Sequence, residues 1–350
     1  MAHKILILGA SYGALLGTKL AAAGHDVALV CRAETAKLIN AEGTEVRIKL
    51  RDEEAHRSFF SRDLAGRTEA VTPEAARPEG YDLVCLAMQE PQYSHPALAD
   101  LLARTARAGS PSMSIMNMPP LPYLRRIPGL DAAKLKPAYT DAAIWADFEP
   151  GRLTLCSPDP QAFRPPEEAN NVLHVGLPTN FKVSKFHDAK ADAILERLEA
   201  DIEAYRIDGK DVPVKLRVHD SLFVPFAKWA MLSAGNYRCI TEDGPRSIRD
   251  AVHGDLARSR EIYDFVNALV VALGADPGDM VPFEKYAAAA KNLQKPSSAA
   301  RAVYAGAKAI ERVDRLIALT AEARGMAHPA IAETVRLVDA RLAANRTAAN

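Results

Sequence analysis

The sequence has few cysteines and no net charge, and each of these absences argues against a class of protein. Its 350 residues include four cysteines, which lie far apart and form no C-x-x-C pair. This favours a reduced, cytoplasmic protein over one stapled by disulfides. Lys plus Arg and Asp plus Glu both number 44, so the chain has no net charge to attract nucleic acid or an anionic membrane. We therefore expect neither of those partners.

Long apolar runs and clustered metal ligands are also missing. No run of about 18 apolar residues is present to cross a bilayer, and a first strand that begins at Lys4 leaves no room for a secretory signal. The nine histidines show no paired spacing such as H-x-x-x-H. The sequence therefore predicts no membrane span, no secretory signal and no metal site.

The stretch from Lys4 to Gly17 organises the first part of the chain. Ile5–Leu8 is a continuous apolar run, which is typical of a parallel strand covered on both faces. Gly9 ends that strand, and an apolar helix follows Gly13. The unpaired amides and the positive dipole end of such a helix make the turn an anion site. We expect a nucleotide pyrophosphate to bind there.

The turn is close to the dinucleotide fingerprint G-x-G-x-x-G but has serine at the middle glycine. A second buried strand at the expected distance completes a βαβ unit. The predicted cofactor-binding residues of the turn are Gly9, Ala10, Ser11, Tyr12 and Gly13. The same letters also spell G-x-S-x-G, the nucleophile elbow of serine hydrolases. An elbow follows the strands that build its oxyanion hole, and no strand precedes this one.

Arg32 follows the second predicted strand, which ends at Val30. In a dinucleotide-binding unit, the residue at the end of the second strand contacts the adenosine ribose. An acidic side chain there accepts a hydrogen bond from the 2′-hydroxyl of NADH, whereas an arginine pairs with the 2′-phosphate of NADPH. Arg32 therefore predicts NADPH rather than NADH as cofactor. The alternative is a surface arginine at the end of a strand.

Two later strands deliver polar residues to the same edge of the predicted sheet. Tyr81–Met88 is followed by Gln89, and Ser112–Met116 is followed by Asn117. Ligands bind at the carboxyl ends of parallel strands, where the strand order reverses, so both residues are expected to line the cofactor crevice.

The composition changes after residues 208–213, which have the character of a linker. Beyond them the pattern is almost wholly helical, with Gly274 and Gly325 at predicted helix ends and Pro329 at the start of the last helix. The predicted fold class is α/β: a Rossmann-like, doubly wound NADP-binding domain over residues 1–210, and an all-helical substrate and dimerisation domain over residues 211–350.

A predicted helix over 219–239 carries Lys228, Leu232 and Asn236 at intervals of four, which places them on one stripe. Its many apolar residues indicate that Lys228 is partly buried, which suits a hydrogen-bond donor or acid. The alternative is a lysine whose stem crosses the helix surface to solvent.

These residues together resemble the ketopantoate reductase (2-dehydropantoate 2-reductase) family. The resemblance is carried by Ile-Leu-Gly-Ala…Gly…Gly-His-Asp-Val…Arg near the start, by Asn117, and by Phe226-Ala-Lys-Trp…Asn236. It extends over most of the chain. It implies NADPH-dependent reduction of a 2-oxo acid to a 2-hydroxy acid, as in pantothenate biosynthesis.

The resemblance also implies roles for individual residues. Lys228 would protonate the carbonyl oxygen as hydride arrives, and Glu311 would be the second catalytic residue. Asn236 would bind a substrate hydroxyl or carboxylate, Ser297 would hold the substrate carboxylate, and Asn117 would lie between nicotinamide and substrate. This fits the chemistry, because hydride addition develops negative charge on oxygen that a positioned ammonium stabilises.

The sequence departs from the family pattern at several of these positions. The phosphate turn is one residue shorter, Gln89 replaces a strand-end lysine, and Leu232 replaces an asparagine. Glu311 matches the family glutamate only with a gap, since Ala309 falls there without one; it could instead be a solvated partner of Arg312 or Arg315. The polar groups that the family has at the positions of Gln89 and Leu232 are lost, which favours a bulkier or less hydroxylated substrate than ketopantoate.

Two alternatives keep the fold and change the function. One is an opine-type dehydrogenase, which reduces an imine formed from an oxo acid and an amine. The other is a dinucleotide-binding sensor without turnover. A possible homodimer is compatible with the apolar stripes of the helical region, although most of these are expected to be core.

Overall fold

The structure is a computed structural model and describes residues 2–348, which form two compact units. The first unit contains the described residues up to Met88, together with Gln92–Tyr123 and Ala143–Asp220. The second contains Gln89–Pro91, Leu124–Ala142 and the described residues from Ser221 onward. Two short segments from the first part of the chain thus belong to the helical unit.

Within the described residues of the first unit, eight strands form one sheet. In spatial order they are β5 (Thr68–Val71), β2 (Asp26–Val30), β1 (Lys4–Leu8), β6 (Leu83–Leu86), β7 (Ser112–Ile115), β8 (Leu153–Ser157), β11 (Phe181–Ser184) and β14 (Leu216–His219). All neighbours are parallel except β8 and β11. The strand order reverses between β1 and β6, which is where an open α/β sheet binds its ligand.

The sheet is buried as its apolar sequence predicts, with Ile5–Leu8 fully enclosed. Helices accompany its strands along the chain: α1 (Tyr12–Ala22), α2 (Ala33–Glu42), α3 (Pro96–Ala108), the short α4 (Leu121–Leu124) and α5 (Ala189–Ala204). Side chains of α1 and α5 share one apolar core with those of the sheet. This is the doubly wound arrangement expected from the sequence.

A second, smaller sheet is the feature that sequence patterning missed. It contains β4 (His56–Phe60), β3 (Glu45–Lys49), β10 (Val172–Leu177) and β9 (Gln161–Phe163), in that order. The polar, proline-rich residues 157–171 therefore include a strand, because β10 supplies β9 with backbone partners. Local composition does not record the pairing partner that makes such a polar segment a strand.

The end of the first unit also differs from the sequence-based division at residue 210. Residues 206–211 form a small hairpin of β12 (Arg206–Ile207) and β13 (Lys210–Asp211), where the sequence analysis placed a linker. The first unit continues to Asp220 because β14 pairs in parallel with β11.

Helices make up most of the second unit. They are α6 (Ala227–Met231), α7 (Ile248–His253), α8 (Leu256–Ala272), α9 (Phe283–Ala290), α10 (Ser298–Tyr304), α11 (Val313–Ala323) and α12 (Pro329–Thr347). Gly274 and Gly325 adopt positive φ just after α8 and α11, and Pro329 opens α12, as predicted. No helix within residues 2–348 is long and apolar enough to cross a membrane.

The predicted continuous helix over 219–239 is wrong. His219 ends β14, and α6 begins only at Ala227, after a 3-10 turn that contains Pro225. Residues 232–236 then form a π-helical turn. The hydroxyl of Tyr286 donates to the carbonyl of Met231, just before this turn, at 3.0 Å and so competes for an acceptor of the regular helix ladder.

Candidate functional site

The turn after β1 has the geometry that the fingerprint requires. Gly9 has φ +110°, and a Cβ there would lie 2.7 Å from Met88 Cγ and 2.9 Å from Ala87 O. A Cβ at Gly13 would lie 2.6 Å from Ile7 Cγ2, so α1 can pack on β1 only with glycine at that position. These are the roles of the first and last glycines of a dinucleotide turn.

Ser11 occupies the place of the middle glycine and is exposed. It precedes α1, and its side chain makes no capping hydrogen bond to that helix. The first amides of α1, those of Tyr12 and Gly13 among them, have no carbonyl within the helix to bind. The turn therefore offers backbone donors and a serine hydroxyl to an anion, which fits a pyrophosphate.

The side chain of Tyr12, in contrast, serves the protein itself. Its hydroxyl donates to the carbonyl of Pro160 at 2.7 Å, and its ring packs edge-on against Phe181. The neighbouring residue Ala10 is buried, and its carbonyl accepts from Arg164 Nη2 at 3.0 Å. Only main-chain atoms of Tyr12 and Ala10 are therefore left for the predicted cofactor site. Through these two hydrogen bonds, the residues on either side of β9 are anchored to the turn.

Arg32 is exposed directly after β2 and is the residue that precedes α2. A second guanidinium, that of half-buried Arg164, lies near enough to interact electrostatically with Arg32 and with Cys31. Burial, together with repulsion from Arg32, lowers the pKa of Arg164. Two cationic groups therefore accompany the end of β2. Sequence reasoning missed Arg164 because it belongs to the proline-rich insert, where no spacing signal relates it to the turn.

The strand-end residues divide between the two units. Asn117 is half-buried after β7 and belongs to the first unit. Gln89 follows Met88 in the chain but groups with the helical unit, as does Glu90. Glu90 is 1% exposed. It is a functional candidate that the sequence analysis passed over, although a carboxyl two residues beyond the predicted strand Tyr81–Met88 is an available signal.

Lys228 lies in the first turn of α6 and is half-buried, as predicted. The residues around it in the helix are enclosed: Ala227 and Trp229 are buried, and the ring of Trp229 packs edge-on against Phe226 at 4.5 Å. Leu232 is buried one turn later. Because the π turn starts at Leu232, Asn236 does not continue a straight stripe from Lys228.

Asn236 and Ser297 are brought together. Ser297 is 2% exposed and caps α10, where its Oγ accepts from Ala300 N at 3.1 Å. The same Oγ donates to the carbonyl of Asn236 at 2.7 Å. The hydroxyl hydrogen of Ser297 is therefore directed at the main chain of Asn236 in this structure, rather than held out for a carboxylate.

Glu311 is 7% exposed and is not a solvated surface residue. Arg312 instead binds Asp314 at 2.9 Å, and Arg315 binds Asp339. One carboxylate oxygen of Glu311, Oε1, accepts from the backbone amide of Glu90 at 3.3 Å. Its main-chain carbonyl accepts from the hydroxyl of buried Tyr237.

Glu90 has its carboxyl group anchored by Thr140. Thr140 N donates to Glu90 Oε1 at 3.0 Å, and Thr140 Oγ1 lies 2.9 Å from Oε2. Burial, reinforced by the nearby Glu311, raises the pKa of Glu90 to about 7. Perturbed carboxyls of this kind are typical of functional sites, although structural networks also produce them. Within residues 2–348 no cluster of side chains has the makings of a metal site.

The class of fold is now defined: a doubly wound sheet with a glycine turn at its switch point, and a helical unit formed mainly by the residues from Ser221 onward. No protein-family model matches the chain, and neither does any curated protein. Solved structures do match it over nearly the whole length.

Three of the solved structures that are similar to this chain illustrate the comparison. 2-Dehydropantoate 2-reductase from Methylococcus capsulatus is 16% identical, with 98% of this chain and 97% of that chain covered and a TM-score of 0.68. D-mandelate dehydrogenase, in a ternary structure with NADH and anilino(oxo)acetate, is 14% identical, with coverage of 98% and 99% and a TM-score of 0.65. A dimeric ketopantoate reductase from Staphylococcus aureus is 10% identical, with coverage of 98% and 99% and a TM-score of 0.57.

At these identities the comparisons show a fold. They confirm the predicted fold class and the expectation that the chain has the fold of ketopantoate reductases. D-mandelate dehydrogenase shares that fold, so the fold alone does not assign the substrate.

Proposed function

We propose that this protein is an NADPH-dependent reductase of a 2-oxo acid, of the ketopantoate reductase type. The observation that carries the proposal is the glycine turn at the carboxyl ends of β1 and β6, whose geometry fits a nucleotide pyrophosphate. The fold shared with ketopantoate reductases and D-mandelate dehydrogenase supports a 2-oxo acid as the class of substrate.

The first unit would bind the cofactor. The backbone of Gly9 to Gly13 would hold the pyrophosphate, with Ser11 adding a hydroxyl donor. Arg32 and Arg164 favour a 2′-phosphate over a 2′-hydroxyl, because a guanidinium pairs strongly with phosphate. NADPH is therefore proposed here, although the D-mandelate dehydrogenase structures contain NADH.

Individual side chains of this protein would then have the following roles in the reduction. A reduced nicotinamide, when bound, would supply hydride to the carbonyl carbon of the substrate. Lys228, half-buried in α6, would donate a hydrogen bond to the carbonyl oxygen and give it a proton as negative charge develops. Asn117, Asn236 and Ser297 would orient the substrate, which requires the hydroxyl of Ser297 to turn from the carbonyl of Asn236. Glu311 would supply a fixed carboxylate, and Gln89 would contact the cofactor.

The substrate is proposed to be less polar than ketopantoate. Buried Leu232 stands where the family has an amide side chain, so a hydroxyl of the substrate would lack a partner there. A bulkier or less hydroxylated oxo acid suits that surface better.

The test is a titration of intrinsic fluorescence with NADPH and with NADH, followed by oxidation of the bound cofactor in a panel of 2-oxo acids that includes ketopantoate. We expect selective NADPH binding and turnover with at least one acid. Lys228→Ala should lower kcat by about 10²- to 10⁴-fold. Lys285→Ala, which removes an exposed lysine of α9, is the matched control and should have no effect.

Two other functions give different results in the same assay. An opine-type dehydrogenase would oxidise NADPH only when an amino acid is added with the oxo acid. A sensor would bind NADPH tightly and oxidise it with no oxo acid, with or without an amine.

The cell compartment and oligomeric state are proposed on separate grounds. All four cysteines are thiols in the structure, which supports a reducing, cytoplasmic environment. A homodimer is proposed by analogy with the dimeric ketopantoate reductase. Of the apolar stripe of α8, Ile262, Val266, Leu269 and Val270 are fully buried within the subunit, whereas Phe265 is half-buried.

A further inference from the structure

The segment Gln89–Pro91 places a second carboxyl beside the proposed catalytic glutamate. Glu90 and Glu311 are both buried, and both belong to the helical unit. They are joined by a main-chain contact, from Glu90 N to Glu311 Oε1 at 3.3 Å. Neither the sequence motifs nor the roles proposed above assign a function to Glu90.

The carboxyl of Glu90 is held by hydrogen bonds that suit either of its protonation states. Thr140 N is a fixed donor to Oε1, whereas the hydroxyl of Thr140 can donate to an ionised Oε2 or accept from a protonated one. Thr140 therefore anchors the side chain of Glu90 in place. That anchor fixes the peptide whose amide binds Glu311.

The charges around the pair favour one proton between them. Glu311 and the phenol of Tyr139 interact electrostatically with Glu90, and both are groups that become negative on ionisation. Two buried carboxylates near each other do not readily ionise together. Each carboxyl accepts a backbone amide, Glu311 from Glu90 and Glu90 from Thr140, so the pair can hold one negative charge. The guanidinium of Arg312, the next residue in the chain, donates hydrogen bonds to the carboxylates of Asp314 and Asp339.

We propose that Glu90 is a positioning residue for Glu311: anchored by Thr140, it fixes the amide that binds Glu311 Oε1, and the two buried carboxyls together hold one negative charge. The catalytic meaning of this arrangement rests on the proposed function, because that function makes Glu311 part of the site. The coupling between the two carboxyls stands on the structure alone and can be measured without a substrate.

The direct test follows glutamate carboxyl carbons by ¹³C NMR as the pH is raised. We expect one carboxyl that titrates near neutral pH in the wild-type protein and is missing in Glu90→Gln. In Glu311→Gln the same titration should move to lower pH, because a like charge has been removed. Glu284→Gln, which removes an exposed carboxylate of α9, should leave it unchanged.

The absence of a titration near neutral pH, or a midpoint that Glu311→Gln does not move, would overturn the proposal. If Glu90→Gln fails to fold, Glu311→Gln still tests the coupling. Once a substrate is known, kcat of the wild type should fall above about pH 7 as Glu90 ionises, and Glu90→Gln should remove that fall. An active enzyme without the coupled titration refutes only this inference, whereas a coupled titration without turnover refutes only the proposed reaction.

Discussion

At the scale of single residues, the side chains proposed for function differ widely in exposure. Arg32 is exposed and ready to meet a ligand, whereas Ser297, Glu90 and Glu311 are buried and bonded to the protein. An exposed cation acts mainly through the ligand, but a buried carboxyl also changes the stability of the fold. The two kinds of residue therefore call for different measurements.

Arg32→Gln tests the choice of cofactor. Loss of a charge-assisted contact to phosphate should raise the Kd for NADPH by about 10- to 100-fold and leave the Kd for NADH within about twofold. The measurement is a fluorescence titration with each cofactor. Arg67→Gln removes an arginine that is 77% exposed and paired with Glu69, and should leave both constants unchanged. An equal loss of NADPH and NADH affinity in Arg32→Gln would contradict the proposed 2′-phosphate contact.

Glu90→Gln tests the buried acid through stability. The pKa of Glu90 is about 7 in the folded protein and near 4.5 when exposed, so the folded state holds this proton more tightly than the unfolded state. The contribution of this proton to the free energy of unfolding is complete below the pKa of the unfolded state and is lost as the pH rises through the pKa of the folded state. Between about pH 5 and 8, the wild type should lose about 2 to 3 kcal/mol of unfolding free energy relative to Glu90→Gln. Denaturant unfolding across that range measures it, and parallel pH profiles would contradict the assignment.

At this scale the sequence predicted residues whose meaning comes from a local pattern. The turn glycines, Arg32 and Lys228 could be proposed as site residues because strand, turn and helix signals surround them. Glu90 and Arg164 could not be interpreted in the same way. Their partners, Thr140 and Ala10, are distant in sequence and are brought to them by the fold.

At the scale of elements, the π turn at residues 232–236 is the clearest departure from the predicted helix. Regular spacing of four residues predicts one stripe, but Tyr286 takes the carbonyl of Met231 and changes the register. Gly235 leaves room for that hydroxyl, since a Cβ there would collide with Tyr286 Oη. A sequence pattern within one helix cannot reveal a competitor that comes from another helix. For the same reason β9 was missed, because its pairing partner β10 defines it.

Gly235→Ala should therefore destabilise the protein, by about 1 to 3 kcal/mol as in other overpacked interiors. Tyr286→Phe removes the hydroxyl, so the double variant should lose less stability than the sum of the two single changes. Gly151→Ala is the control, because a Cβ at Gly151 meets nothing within 4 Å. Thermal unfolding gives the four values; strictly additive effects of the two substitutions would show that Tyr286 does not shape this turn.

At the scale of the whole molecule, the two units follow from the large change in pattern along the chain. Apolar runs separated by helices predict the parallel sheet, and the loss of strand-like runs predicts the helical unit. The exceptions are Gln89–Pro91 and Leu124–Ala142, which belong to the helical unit although they precede it in sequence. Short 3-10 segments with several prolines have no periodicity, so their tertiary partners could not be predicted.

The most direct test of the account is cofactor oxidation by the purified protein, with NADPH or NADH and a panel of 2-oxo acids, each with and without an added amino acid. We predict NADPH oxidation by at least one 2-oxo acid without an amine, with kcat reduced about 10²-fold or more in Lys228→Ala. Turnover that requires the amine, or tight NADPH binding with no oxidation under any condition, would contradict the proposed reduction of a 2-oxo acid.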